Sequence, residues 1–349
     1  MREQASGPGG SRLPLRGSRT CAGLACRTVR RPALGPAVRT TFLLLAVVLL
    51  VLALRDQWPQ AREAVRAVGP GAALGSLAAV LAGLLASALC WRALLAELGT
   101  RLPLAAALGV FFLGQLGKYV PGSVFAVAAQ MELGRTHGAP RSRVGTAALV
   151  FLGLLVASGL AVAAVVLPLT GAGAPGGSYG WVLALLPLCL VALVPPVLTR
   201  LVGLLLRALR REPLERPLRA AGVGAALAWA GVMWAAYGVH LWLLVRTQDA
   251  GPALLLSAGA YALAWTAGLL VVAAPAGAGV REVALVSLLV TGLGPVLDRG
   301  SALAVAVLSR VLMTLGDLVW GAVGAVLHHR QAGAVKTPRR GADTDRGRH

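Results

Sequence analysis

The sequence predicts an all-α polytopic membrane protein, and three observations carry that prediction. Hydrophobic residues make up 57% of the 349 and charged residues only 13%, with a mean hydropathy of +0.75; an ordinary soluble domain is roughly 25% charged. Apolar runs approaching or reaching span length recur along the chain, enough for about six to eight crossings of ~20 residues each. Finally, the formal charge of +20 is not spread evenly: it gathers at the two ends and in a few short loops.

Each element can be justified in order. Residues 1–39, rich in Gly, Pro, Ser and Arg, read as a disordered basic cytoplasmic tail, with no signal-peptide pattern near the start. The integral domain is expected over residues 40–328, and a second disordered basic tail over 329–349. Arg2, Arg12, Arg16, Arg19, Arg27, Arg30, Arg31 and Arg39 precede the first apolar run, and Arg330, Lys336, Arg339, Arg340, Arg346 and Arg348 follow the last. The positive-inside rule therefore places both termini in the cytoplasm. Charge confined in this way reflects topology and attraction to anionic headgroups, which argues against nucleic acid as a partner.

The first run, Thr41 to Leu54, leads outward to a mixed-charge loop containing Arg55, Asp56, Arg62, Glu63 and Arg66, and a second run returns over Gly71 to Leu95. Two shorter pieces follow, Pro103 to Leu116 and Ser123 to Leu133, flanked by Arg101 and Arg135. If those two arginines share a side, the pieces form a re-entrant hairpin turning at Lys118 to Gly122. Val144 to Pro168 spans outward to the uncharged loop Gly171 to Gly180, and Trp181 to Leu206 returns. The loop bearing Arg207, Arg210, Arg211, Arg216 and Arg219 is the strongest internal cytoplasmic marker. Ala220 to Val245 goes out again, and Pro252 to Gly292 forms a second element broken at Pro275 to Gly279. Ser301 to Leu327 is the last span. The order span, span, hairpin, span thus occurs twice in opposite orientation. Six spans plus two opposed re-entrant hairpins in an inverted repeat is the expected plan, and eight spans is its rival.

The breaks carry the chemistry. Exposed backbone and an unpaired charge each cost several kcal/mol in lipid, so ionisable residues beside Pro and Gly inside apolar stretches mark a functional pathway. In the first hairpin these are Lys118, Tyr119, Gln130, Glu132 and Arg135, with the break at Pro121 and Gly122. The helix after that break aims its N-terminus into the bundle, where its partial positive charge favours a phosphate, and Lys118 adds a full charge. The plainer reading has Lys118 and Arg135 snorkelling to the interface and Glu132 pairing with one of them. In the second hairpin, Pro275, Gly277 and Gly279 make the break and Arg281 and Glu282 open the next helix. Adjacent residues point to different faces, so one of these charges is expected to face a cavity and the other to anchor the hairpin. On the last span, Arg310 and Asp317 are seven residues apart and share a face, about 10 Å apart along the axis. Each is placed to pair with a hairpin charge, Arg310 with Glu132 or Glu282. His240 and Trp242 read as an interfacial belt.

Catalysis is not expected. Ser123, Ser287 and Ser309 have no His/Asp arrangement around them, no metal-ligand or nucleotide-loop spacing occurs, and Cys21, Cys26, Cys90 and Cys189 form no framework. No cofactor or metal is called for.

The runs Gly114-Gln-Leu-Gly-Lys-Tyr-Val-Pro-Gly-Ser123, Ala129-Gln-Met-Glu-Leu-Gly-Arg135 and Pro275-Ala-Gly-Ala-Gly-Val-Arg-Glu282 resemble the flippase-like transmembrane region of lysylphosphatidylglycerol synthases. The likeness is to the stand-alone, actinobacterial-type branch without the synthase domain, and it covers most of residues 40 to 328. It implies a lipid-handling protein of the cell membrane that moves a phospholipid or other lipid-linked headgroup between leaflets. The lipid partner would be an anionic or aminoacylated phospholipid or a polyprenol-linked lipid, and a homo-oligomer is compatible with it. The aminoacyl-transfer activity belongs to a separate domain and is not implied. Two further readings stay open: a membrane scaffold for a lipid-linked glycosyltransferase or cell-envelope complex, and an enzyme acting on a lipid headgroup.

Overall fold

In a computed structural model, the described residues are 62–119, 124–170, 181–208, 210–211, 213–214, 216–246, 254–271, 277, 279–293 and 297–336, with isolated helical positions at 48, 55 and 59. All lie within the unit Thr40–His349. The expected N-terminal tail, the body of the first apolar run, the loop 171–180 and residues 337–349 fall outside them, as do the hairpin-break residues Pro121, Gly122 and Pro275.

Every regular element among the described residues is a helix. Residues 62–68, expected in a loop, are helical and run to Gly69, whose φ of 87° breaks the helix before Pro70 restarts it as α1 (Pro70–Glu97). Proline suits that first position because its missing N–H would be unpaired there in any case. The far end of α1 closes in a Schellman motif. Gly99, at φ +87°, donates to the Ala96 carbonyl, and Thr100 donates to that of Leu95; a residue without Cβ adopts this conformation without strain.

Next comes the first hairpin, α2 (Leu104–Gln115) with its 3₁₀ extension (Leu116–Tyr119), and α3 (Val124–Arg135). At 1.5 Å per residue a twelve-residue helix such as α3 is roughly 18 Å long, short of a ~30 Å hydrocarbon core. α4 (Arg141–Leu169) is a full-length apolar helix. The expected straight span Trp181 to Leu206 is instead α5 (Trp181–Ala184), α6 (Leu186–Leu193) and α7 (Pro195–Ala208), with α6 and α7 bent by 85°. The cause is local. Val194 precedes Pro195-Pro196, and the proline ring drives it to ψ 127°, out of the helical region. α7 then buries Leu198, Val202 and Leu206 at four-residue intervals while Leu201, Leu204 and Leu205 stay exposed.

α8 (Ala220–Arg246) is followed by the second hairpin, α9 (Leu254–Leu270) and α10 (Val280–Leu293), whose pieces are again short. The last helix, α11 (Arg299–Lys336), runs eight residues past the expected boundary at 328. Asp298 caps its start by accepting the N–H groups of Ser301 and Gly300, each at 3.1 Å; the Ser301 side chain first, and then these N–H groups, hold its carboxyl below the usual carboxylate range.

Among the described residues, four helices can cross a membrane by length and composition (α1, α4, α8 and α11), and a fifth crossing is available if α6 and α7 count as one. Large apolar side chains remain exposed on the outside of the bundle, among them Leu74, Leu169, Leu188 and Val283. In lipid such a surface is solvated rather than exposed.

The helices pack in a reciprocal pattern. α1 lies along α8, the first hairpin packs through α2 on α11, and the second packs through α9 on α4. Where α2 crosses α11, a Cβ on Gly109 would meet the Gly324 carbonyl at 3.2 Å, so small residues on both sides set the approach. Beside that crossing, Phe112 stacks on Trp320 at 4.7 Å between ring centroids, and Phe111 reaches Trp91 and Phe151.

A cationic cavity between two broken helical elements as the candidate functional site

The broken elements meet around an internal cavity of about 180 Å³. Its walls come from α1, both hairpins, α4, α8 and α11, and its polar side chains include Gln115, Lys118, Tyr119, Gln130, Arg281, Arg310 and Asp317. Six of these seven, all but Gln115, are among the pathway residues expected from the sequence.

The first hairpin is held to the last helix by charge. Lys118 Nζ lies 2.6 Å from Asp317 Oδ2, and the Tyr119 hydroxyl donates to the same oxygen at 2.5 Å. Asp317 is 4% exposed, so two donors on one buried carboxylate supply the pairing that burial demands. The hairpin itself closes on glycine. A Cβ on Gly117 would sit 2.8 Å from the Ala126 backbone, and one on Gly114 would overlap Gln130.

The second hairpin is fixed to the same helix, one face-repeat earlier. Arg310 donates to the Glu282 carboxylate, and Glu282 also accepts the Gly279 N–H at 2.6 Å. Glu282 is the third residue of α10 and Gly279 its N-cap, so this is the carboxylate half of a capping box. Gly277, at φ +70°, lies against the end of α9: a Cβ there would fall 2.9 Å from Gly268 Cα. No other residue type combines that backbone with that approach.

Arg281 points the other way, into the cavity. Its guanidinium donates to the Tyr261 hydroxyl and stacks 4.6 Å from the centroid of that ring. No carboxylate pairs with it among the described residues. Gln130 faces the same space, 3% exposed, with its Oε1 lacking a hydrogen-bond partner among the described residues.

Three expected pathway residues do not line the cavity: Glu282, which anchors the second hairpin, and two that lie elsewhere. The two are Glu132 and Arg135. Three residues apart on α3, they share a face, and that face is turned to the start of α4, where Arg141 joins Arg135 in holding the Glu132 carboxylate. Glu132 is therefore not the partner of Arg310. His240, expected at the interface, is fully buried and joins three helices: its Nδ1 lies 2.6 Å from the Ser76 hydroxyl of α1, and its Nε2 2.8 Å from the Ser309 hydroxyl of α11.

The residues that the sequence does not mark include the hydroxyls of Ser87 and Thr314 and several aromatic side chains. Tyr237, Tyr261 and Trp265 wall or back the cavity, and an aromatic inside an apolar run carries no pattern that marks it. Among the described residues no group of three or more His, Cys, Asp or Glu is placed to hold a metal ion.

Comparison with known proteins agrees with the sequence resemblance. No curated protein matches the chain. The family model for the lysylphosphatidylglycerol synthase TM region matches residues 40–321, which include both hairpins and the cavity. The chain is a multi-pass membrane protein and belongs to the lysylphosphatidylglycerol synthase TM region family.

Proposed function

We propose that this chain is a lipid translocase of the cell membrane that carries a phosphate-bearing headgroup between leaflets while the acyl chains stay in the surrounding lipid. The observation behind this reading is Arg281. It is a cation directed into an internal cavity and held by an aromatic hydroxyl and ring, with no carboxylate paired to it among the described residues. Lys118 and Arg310 stand on the same walls, each with its own carboxylate partner. A charge kept in an apolar bundle at such cost favours a ligand of opposite sign. Anionic and aminoacylated phospholipids and polyprenol-linked lipids all carry a phosphate that answers this description.

The reciprocal packing of the hairpins, the first on α11 and the second on α4, supports an inverted repeat with two re-entrant elements entering from opposite faces. The arginine-rich loop at 207–219 supports a cytoplasmic orientation for that end of the bundle and, with it, for both termini. The scaffold reading draws support from a different observation, the closed Lys118–Asp317 and Arg310–Glu282 pairs, which would serve equally well as struts. Reconstitution separates the two. Purified protein in liposomes should accelerate the transbilayer movement of phosphatidylglycerol or its lysyl ester over empty liposomes, and a scaffold would not.

A further inference from the structure

The cavity between the hairpins contains a buried acceptor without a donor. Gln130 lines the cavity and is 3% exposed, and its Oε1 has no hydrogen-bond partner among the described residues. Packing holds the side chain there: a Cβ on Gly114 would fall 2.3 Å from Gln130 Cγ and 3.2 Å from the Gln130 backbone nitrogen, so the stem lies in the groove that this glycine opens. A buried acceptor left unmet costs free energy that an apolar side chain of the same length would not. A donor entering the cavity removes that cost. Neighbouring polar groups are already engaged. Asp317 takes both Lys118 and Tyr119, Arg310 is paired with Glu282, and the Ser87 hydroxyl donates to the Gly83 carbonyl at 2.9 Å.

The charge of the walls decides which kind of donor fits. Lys118 is offset by Asp317 and Arg310 by Glu282, which leaves Arg281 held by the hydroxyl and ring of Tyr261 alone among the described residues. Residues 120–123, 272–276 and 278, which adjoin the two hairpin turns, contain no ionisable side chain, so they do not offset that excess positive charge. A ligand ammonium would bring a second cation into the space that Arg281 faces, and like charges repel most strongly where water is scarce. A hydroxyl donates without adding charge. At about 180 Å³ the cavity is smaller than the roughly 300–1,000 Å³ of a pocket for a drug-sized ligand, so it takes a headgroup and not the acyl chains.

We propose that the cavity selects a phosphodiester headgroup bearing a free hydroxyl, as on a glycerol or a sugar, and that Gln130 is the residue that reads this hydroxyl. The proposal rests on the reading of Arg281 as the phosphate contact and goes beyond it by naming what the headgroup carries besides phosphate. A site built around a buried hydrogen-bonding group rejects the analogue that lacks the matching group, because the buried atom is then left unpaired.

The test is lipid binding by the full-length protein, measured by native mass spectrometry from dodecyldimethylamine oxide micelles with four lipids of the same acyl chains. Phosphatidylglycerol and phosphatidylinositol carry hydroxyls on an open chain and on a ring. Phosphatidylmethanol has the same charge and no hydroxyl, and phosphatidylethanolamine offers an ammonium instead. Phosphatidylglycerol or phosphatidylinositol should bind at least tenfold more tightly than either of the other two, and the tighter of the pair tells an open-chain polyol from a cyclic one. Gln130→Met, of similar length, should bring the affinity for the hydroxylated lipid down to that for phosphatidylmethanol while leaving phosphatidylmethanol binding unchanged, a pattern that a mere loss of packing does not produce. The wild-type preference needs no variant, so it decides even where Gln130→Met yields no folded protein. Hydroxylated lipids bound within about threefold of phosphatidylmethanol, phosphatidylethanolamine bound as tightly as they are, or a preference that survives in Gln130→Met would each overturn the proposal. Transport is read separately in liposomes: lipid movement without this preference leaves the translocase reading standing and removes this one, and the preference without lipid movement does the reverse.

Discussion

Lys118 Nζ lies 2.6 Å from Asp317 Oδ2, so the end of the first hairpin is tied to the last helix at a point where the carboxylate is 4% exposed and the lysine side chain 31%. The two partners are not equivalent. Removing the lysine strands a buried carboxylate with only the Tyr119 hydroxyl against it, whereas removing the carboxylate leaves a lysine that reaches more polar surroundings on its long stem. Lys118→Gln should therefore lower stability more than Asp317→Asn, by about 3 kcal/mol against roughly 1. Thermal denaturation in detergent measures both, and equal losses would contradict the asymmetry.

Arg310 and Glu282 tie the second hairpin to the same helix, both being 16% exposed on their side chains. Single substitutions Arg310→Gln and Glu282→Gln should each destabilise, and the double variant should recover part of the sum. A coupling of about 1–3 kcal/mol is expected from a double-mutant cycle. The cycle of Arg310→Gln with Glu132→Gln should be additive, since Glu132 is engaged by Arg135 and Arg141.

Gly277 presents a steric prediction. At φ +70°, with Gly268 Cα 2.9 Å from where a Cβ would be, Gly277→Ala must both strain the backbone and push the hairpin apart. Folded yield of Gly277→Ala should drop severalfold. Gly268→Ala has an ordinary helical backbone, and its Cβ would meet Arg281 Cβ at 3.2 Å, Gly277 Cα at 3.4 Å and the Gly277 carbonyl oxygen at 3.6 Å, so its loss should be smaller.

The proposed orientation rests on charge. The loop at 207–219 holds five arginines against two glutamates, and the loop at 171–180 holds no charge. Single cysteines placed at Arg211 and at Gly177 should report opposite sides, with impermeant thiol reagents on intact cells modifying only the second. Equal labelling at both positions would reverse or abolish the assigned topology.

Much of the site was legible because helical periodicity is local. Arg310 and Asp317, seven residues apart in an apolar run, had to share a face, and each is found against one hairpin. The division of labour at Arg281 and Glu282 followed from adjacent residues pointing apart, and the capping bond to Gly279 shows which of them anchors. Reading failed where the deciding contact was distant. Glu132 has three candidate partners by sequence, Lys118, Arg135 and Arg310; Arg135 is one of those found, and the other, Arg141, lies across a turn whose direction periodicity does not give. His240 was read from its place near a span end, while its partners Ser76 and Ser309 stand 164 and 69 residues away. The bend at Val194 is a different case: the Pro195-Pro196 pair marks it locally, whereas the length of the apolar run favours a single span.

The central claim is that Arg281 receives the phosphate of a lipid headgroup, and the most direct measurement is lipid translocation by Arg281→Gln in proteoliposomes. Wild-type protein should speed the transbilayer movement of phosphatidylglycerol or its lysyl ester. Arg281→Gln should slow that movement at least tenfold while thermal stability stays close to wild type, because its link to Tyr261 is one hydrogen bond and a ring contact. Arg330→Gln, an exposed charge near the end of the last helix, should leave the rate unchanged. A folded Arg281→Gln that moves lipid at the wild-type rate, or a wild-type protein no faster than empty liposomes, would contradict the claim.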